Sequence, residues 1–278
     1  LRIDNGQRIM AREKPLRLLF VTQEDPFYGR FFFAEFLRRY DPAKADVLGV
    51  AIQEPLGRSR WGAFGKAYSF YGFWNTVKLA CISVLLGIAG FFSATFRDGK
   101  GGDYTLRQVL RREKVTLIEL GDINSEESIA KLKALEPDLI VSMSASQKFG
   151  PEVLELPRLA CLNVHSGELP RYRGMLTVFW QLYEGRGYTV PTVHVMDEKL
   201  DAGPIITSTR CPLDKYDSLY EATVKTKLCA ARLLVDVLGM YASGKISTSV
   251  NDPALAKRYP FPGKTEAVNF RKTGRRLV

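Results

Sequence analysis

Residues 115–143 read VTLIELGDINSEESIAKLKALEPDLIVSM. Two apolar runs, 115–120 and 138–143, bracket a polar segment. Asn124 with Glu127 three residues on is a capping-box pattern, and Pro137 ends the helix it opens. The stretch predicts strand, helix, strand, the unit from which parallel sheets are built. The same alternation recurs on either side. Apolar runs at 16–22 and 45–52 predict two earlier strands. Between them a helix over 26–40 puts Phe32, Phe33, Phe36 and Leu37 on one face. Runs at 161–165 and 189–196 predict two later strands. A long helix over 218–241 follows, with Leu228, Ala231, Val235 and Leu238 at three- and four-residue spacing. The expectation is an α/β fold with a mainly parallel central sheet flanked by helices.

Composition agrees with a folded enzyme-sized chain. Of 278 residues, 46% are hydrophobic and 25% charged, which argues against disorder, collagen-like repeats and coiled coil. The cysteines at 81, 161, 211 and 229 have no Cys-x-x-Cys spacing, so neither a disulfide framework nor a zinc site is expected. Only His165 and His194 could supply imidazole, and no metal is implied. Residues 1–14 are polar and aperiodic and read as a loose segment, with Met10 as a candidate start. No apolar leader opens the sequence, so a reduced cytoplasmic location is expected.

The net charge of +10 is concentrated in two places. From Arg58 to Lys100 six bases face one acid, and from Lys257 to Val278 seven bases face one acid. Such segments are either solvated faces or contacts for something anionic: a nucleotide, an RNA or lipid headgroups. Residues 55–105 also break the strand–helix rhythm, because strand-to-strand connections are normally far shorter. Within them, 79–96 is 18 residues without a charge. A single membrane span there would put the second and third strands on opposite sides of a bilayer, which one sheet forbids. The insertion therefore reads as a hydrophobic helical cap on the core or on a second copy in a homodimer. The alternative is an interfacial anchor that makes peripheral membrane contact through 67–96.

The chemistry-bearing residues lie at 162–174, LNVHSGELPRYRG, and at 192–206, TVHVMDEKLDAGPII. Asn163 and His165 are two apart at the end of a strand, so both side chains point to one face. In open α/β sheets that end faces the ligand crevice. Asp201 before Ala202-Gly203 is by itself no more than a turn.

Together the two stretches resemble the folate-dependent formyltransferase family. The family pattern is Asn-x-His, then Leu-Pro-x-aromatic-base-Gly, then Asp-Ala/Thr-Gly. Here it falls on Asn163, His165, Leu169–Gly174 and Asp201–Gly203. One departure is Gly167 two positions after the His, where many members carry Ser. The resemblance implies a Rossmann-like catalytic domain over 15–244, carrying the insertion 55–105, with 245–278 as a basic C-terminal tail. It implies that Asn163, His165 and Asp201 are catalytic: Asn163 as donor to an oxyanion, His165 as donor and proton carrier, Asp201 as the carboxylate beside it. It implies 10-formyltetrahydrofolate as co-substrate, near Ser146, Gln147, Lys148, Phe149, Leu200 and Asp201. It puts the acceptor near Thr22, Gln23, Phe27, Arg171, Tyr172, Arg173 and Gly174.

The acceptor itself is read by elimination within the family. The turn after the first strand, Thr22 to Phe27, is acidic and lacks Gly, unlike the phosphate loop of glycinamide ribonucleotide formyltransferases. Only 34 residues follow Gly244, too few for the β-barrel domain of methionyl-tRNA formyltransferases. A nucleotide-linked amino sugar, or a similar small amine, is the leading expectation. Methionyl-tRNA is second, and a scaffold docking on a membrane or partner is third.

Overall fold

The computed structural model describes residues 14–54, 65, 68–95 and 104–278. Its centre is a seven-stranded sheet. The strands are β1 (Leu16–Gln23), β2 (Ala45–Gln53), β3 (Leu117–Leu120), β4 (Leu139–Ser142) and β5 (Ala160–His165). Beyond the short β6 (Arg173–Gly174) and β7 (Tyr188–Thr189) come β8 (Thr192–Val195) and β9 (Ile205–Ser208). The sheet order is β3-β2-β1-β4-β5-β8-β9. The first five strands are parallel, β8 runs antiparallel to β5, and β9 runs antiparallel to β8. Chain order reverses between β1 and β4, which opens a crevice beyond their C-terminal ends.

The expected strand over 189–196 is two elements. Pro191 has no backbone N–H to continue a ladder. Upstream of it, β7 pairs with β10 (Cys211–Pro212) outside the main sheet; downstream, β8 joins β5. The helix after β3, α4 (Glu126–Ala134), is capped by Ser125, whose side chain accepts from the Ser128 N–H. Asn124, the expected cap, instead donates to the Lys148 carbonyl and accepts from the Gly150 N–H.

Two helices cover one face. α1 (Gly29–Arg39) packs on α7 (Leu219–Ala242), and α3 (Leu106–Arg112) lies beside them. The apolar stripe predicted for α1 is buried as a unit. Phe20 of β1 meets Phe33 and Phe36 edge-on, with centroids 5.2 and 4.9 Å away. On α7 the buried face is Ala230, Leu234, Val237 and Tyr241, and the predicted Leu228 and Val235 sit half-buried at its margin. Glu35 joins the two helices through Arg232, at 2.6 Å, and also accepts from Arg38 and Arg39. Burial pushes its pKa up, but the hydrogen bonds from Arg38, Arg232 and Arg39 outweigh this and hold it at about 2. The other face of the sheet is covered by α4 and α5 (Pro151–Glu155), over Leu19, Val21, Ile140, Phe149 and Cys161.

A second core lies beyond β5. α6 (Thr177–Tyr183) and α8 (Lys264–Lys272) enclose Phe179, Trp180 and Phe270 with Phe70, Tyr172 and Tyr259. β11 (Arg258–Tyr259) pairs in parallel with β6. The segment set apart in sequence as a basic tail is therefore fastened across the loop that follows His165. Its aromatic residues hold it there, while its bases face outward.

The insertion carries α2 (Phe73–Thr95). Just before it, Phe70 is fully buried against Phe179 and Phe261. Of the side chains described in α2 itself, only Thr76 is buried. The cap packed on the core is not what forms. Among the described residues no helix is long and apolar enough to cross a membrane.

The aromatic cluster around Phe20 anchors β1 to α1. Phe20→Ala should lower unfolding stability by about 3–5 kcal/mol, read as a lower urea midpoint at unchanged slope.

Candidate active site

The parallel-to-antiparallel switch brings the two motifs together. In the β5–β8 register Asn163 lies opposite His194 and His165 opposite Thr192. Asn163 and His165 project from the same face at the C-terminal end of β5. The loop after β8 then turns Asp201 back onto them. Asp201 adopts a left-handed backbone, φ 53°, and is buried. Gly203 two residues later has no room for a side chain, since a Cβ there would lie 2.0 Å from the Val195 carbonyl.

The Asp201 carboxylate organises the cluster. Its Oδ2 accepts from the Gly174 N–H at 2.8 Å. Its Oδ1 lies 3.4 Å from Asn163 Nδ2, 3.5 Å from His165 Nδ1 and 3.9 Å from His194 Nε2. Gly174 is required for two reasons. Its φ is +98°, and a Cβ would lie 2.3 Å from the Tyr259 carbonyl.

Proton positions follow from the partners. His165 Nε2 lies 2.6 Å from the Tyr172 carbonyl, which only accepts, so Nε2 carries a hydrogen. A bare Nδ1 would then set a lone pair against the Asp201 carboxylate. His165 and Asp201 are complementary when they hold one proton between them. His194 Nδ1 lies 2.9 Å from the Val195 carbonyl and likewise carries a hydrogen. Burial, and next the charge of His165, push the His194 pKa down to about 4. The ring is neutral at neutral pH, and its Nε2 accepts from Asn163 Nδ2 at 3.1 Å. His194 thereby fixes which end of the Asn163 amide faces Asp201. Asn163 remains half-buried, while His165 and Asp201 are buried.

The loop 166–174 is fixed on both sides. Thr192 Oγ1 donates to the Gly167 carbonyl and accepts from the Leu169 N–H. The departure at Gly167 has a steric reason: a Cβ would lie 2.7 Å from Thr177 Cβ and 2.9 Å from the Tyr172 carbonyl. Asn251, from the C-terminal segment, donates to the carbonyls of Asp201 and Gly203, both at 2.9 Å. It accepts from Arg173 Nη2 at 2.7 Å. His194, Thr192 and Asn251 were not singled out in sequence. His194 could have been, lying seven residues before Asp201 on an apolar strand. Nothing in the sequence marks Asn251.

The residues expected at the acceptor divide. Thr22 is fully buried and donates to the Met143 carbonyl at 2.8 Å, tying β1 to β4 at the crevice, so its hydroxyl is not offered to a ligand. Gln23 and Phe27 are half-buried at the adjoining turn. That turn is closed by Asp25, whose carboxylate accepts from the N–H groups of Phe27, Tyr28 and Gly29. A side chain thus already fills the anion position ahead of α1. Tyr172, Arg173 and Gly174 build the site from within, whereas Arg171 is exposed. Arg171 lines a cleft of about 390 Å³ with Tyr172, Glu184, Arg186, Lys257 and Tyr259.

At the positions expected for folate, Gln147 bridges the ends of β2 and β3, donating to the carbonyls of Glu54 and Gly121 and accepting from the Ile123 N–H. The Phe149 ring is in the core rather than the crevice. Lys148 and Leu200 are exposed. Ser146 donates its N–H to Gln53 Oε1 at 3.1 Å. Ser146 Oγ, a donor and acceptor, and Gln53 Nε2, a donor, are buried at this crevice with no hydrogen-bond partner. Lys227 lies buried nearby, donating to Ser144 Oγ at 2.8 Å, with its pKa pushed down by burial to about 8. Among the described residues no group of His, Cys, Asp and Glu could hold a metal ion.

Known proteins resemble this chain in sequence and in fold. The formyl transferase family pattern matches residues 109–238. The methionyl-tRNA formyltransferase of Kosmotoga olearia is 31% identical over 165 residues, 59% of this chain and 52% of that protein. The chain spans about half the length of the curated relatives it matches. A sugar N-formyltransferase from Shewanella superposes with a TM-score of 0.52 at 15% identity, covering 88% of this chain and 76% of that one. Glycinamide ribonucleotide transformylase 1 from Symbiobacterium toebii gives 0.55 at 15% identity, covering 88% and 96%. At such identities the likeness is one of fold.

The depressed His194 pKa has a consequence for stability. As pH falls from 6.5 toward about 4, the unfolded chain takes up a proton that folded His194 refuses. Its contribution is complete above pH 6.5 and is lost through that window, by up to about 1.4 kcal/mol per pH unit. Urea titrations of the wild type and His194→Gln should therefore converge in slope above pH 6.5, with the variant flatter below it.

Proposed function

We propose that this chain, whose residues 109–238 match the formyl transferase family, is a folate-dependent formyltransferase that moves the formyl group of 10-formyltetrahydrofolate to a primary amine on a small anionic acceptor. The observation that carries the reading is the meeting of Asn163, His165 and Asp201 at one buried carboxylate oxygen. The folate supplies an activated formyl carbon with a nitrogen leaving group. Ser146 Oγ, Gln53 Nε2 and the backbone of 144–149 would hold its polar ring, and their orphaned atoms fit such a group. Asn163 lies at the half-buried end of the cluster with its two amide hydrogens directed at His194 and Asp201, and the longer of these contacts, at 3.4 Å, is the one it would exchange for a developing oxyanion. In a low-dielectric site such a donor is worth far more than in water. The proton shared by His165 and Asp201 is positioned to leave toward the departing nitrogen and to be replaced from the attacking amine. Tyr172 and Gly174 keep that pair aligned through their backbone carbonyl and N–H.

The acceptor reading rests on the cleft beside this loop. Three cations, Arg171, Arg186 and Lys257, line it with one carboxylate, Glu184. Arg186 is engaged by Glu168 and Lys257 by Glu184, which leaves Arg171 for an anion. A nucleotide-linked amino sugar has the matching chemistry, a diphosphate a short distance from an amine. Methionyl-tRNA is the second reading, favoured by the sequence relatives that carry that name. Both use the same formyl chemistry.

Tetrahydrofolate release from 10-formyltetrahydrofolate, followed with nucleotide-linked amino sugars, with methionyl-tRNA and without acceptor, separates the readings. Amino-sugar-dependent release is expected, and release only with methionyl-tRNA would replace the acceptor reading. Asn163→Ala should lower turnover about 10²–10³-fold while folate affinity changes little. Near-normal turnover in that variant would remove the catalytic assignment. Arg171→Ala should raise the acceptor KM about tenfold or more at nearly constant kcat, the loss of one charge-assisted hydrogen bond.

A further inference from the structure

α2 leaves a continuous apolar stripe uncovered. Phe73, Trp74, Val77, Val84, Leu85 and Ile88 are all exposed, Trp74 at 80% and Leu85 at 63%. At 3.6 residues per turn these six fall within roughly 120° of the helix circumference. Scattered exposed apolar residues need no explanation, but a contiguous stripe of this kind does. The helix is not a loose appendage. Phe70, three residues before it, is locked into the second core against Phe179, the core that also holds the loop after His165.

Charge decides what covers the stripe. Between Glu54 and Asp98 the sequence has no acidic residue but carries Arg58, Arg60, Lys66, Lys78 and Arg97. At the first turn of α2, Asn75 lines a cleft with Arg271, Arg275 and Arg276 of the C-terminal segment. A second copy docked through α2 would bring two such base-rich segments, neither with an acidic residue to offset it, together. An anionic surface would be attracted to both the insertion and the arginine cleft. The paired rings of Phe73 and Trp74 at the start of the stripe suit a boundary between headgroups and acyl chains. A helix that lies in the plane of such a boundary, apolar on one side and flanked by bases, binds through buried apolar area plus attraction to anionic lipids.

We propose that the exposed stripe of α2, with the arginine cleft at its first turn, docks this protein in-plane on the surface of an anionic phospholipid bilayer.

The test is cosedimentation of the full chain with vesicles of phosphatidylcholine alone and of phosphatidylcholine with phosphatidylglycerol. Binding to the phosphatidylglycerol vesicles, weakened by salt and accompanied by a blue shift of tryptophan emission, is the expected result. Leu85→Asp with Ile88→Asp should abolish it. Replacing Arg271, Arg275 and Arg276 by Ala should lower the partition coefficient about tenfold or more. Circular dichroism and formyl-folate turnover, unchanged in the Leu85/Ile88 variant, would separate loss of docking from loss of fold. A protein that ignores both vesicle types overturns the proposal. So does one that binds both equally at low salt, or one that forms a dimer in the absence of lipid that is lost with Leu85→Asp.

Discussion

One carboxylate holds the site together. Asp201 commits one oxygen to the Gly174 N–H and turns the other toward Asn163, His165 and His194. A buried carboxylate is costly without partners. The surrounding structure is arranged so that its partners arrive from three separate elements, β5, β8 and the loop 166–174, while Asn251 holds the Asp201 backbone in place. The left-handed backbone at Asp201 and the absence of a side chain at Gly203 and Gly174 let these elements approach closely enough.

The fold supplies that geometry through a change of strand direction. The first five strands run parallel and deliver Asn163 and His165 to the crevice edge. β8 then runs antiparallel to β5, so its side chains interleave with those of β5 from the opposite direction. This places His194 beside Asn163 and makes a neutral imidazole the acceptor that orients the amide. The C-terminal segment completes the enclosure. β11 against β6 and Asn251 against the Asp201 loop turn what reads as a tail into a wall of the site.

Two anionic subsites are distinguished by who fills them. Ahead of α1 the three N–H groups of residues 27–29 are already occupied by Asp25. Beside the loop 169–174 a cleft with an excess of cations remains open. A phosphate group would meet repulsion at the first place and attraction at the second. This separation follows from one acidic residue, Asp25, in a turn.

Periodicity and spacing identified the α/β class, the aromatic face of α1, and the shared strand face of Asn163 and His165; Asp201 joined that pair only through the resemblance to the formyltransferases. The first three depend on residues close in the chain: apolar alternation, helical spacing, two residues on one strand face. Tertiary structure decided what those residues share with distant ones. It split the strand at Pro191, buried Thr22 and the Phe149 ring, and turned Gln147 into a brace. It also explained Gly167 by the space that Thr177 occupies and recruited Asn251 from fifty residues away. It left α2 off the core, although its composition reads as a buried helix. Local sequence records which groups can make a contact. Whether a polar side chain is used by the fold or left for a ligand depends on which distant backbone groups packing brings within about 3 Å of it, and no local pattern encodes that.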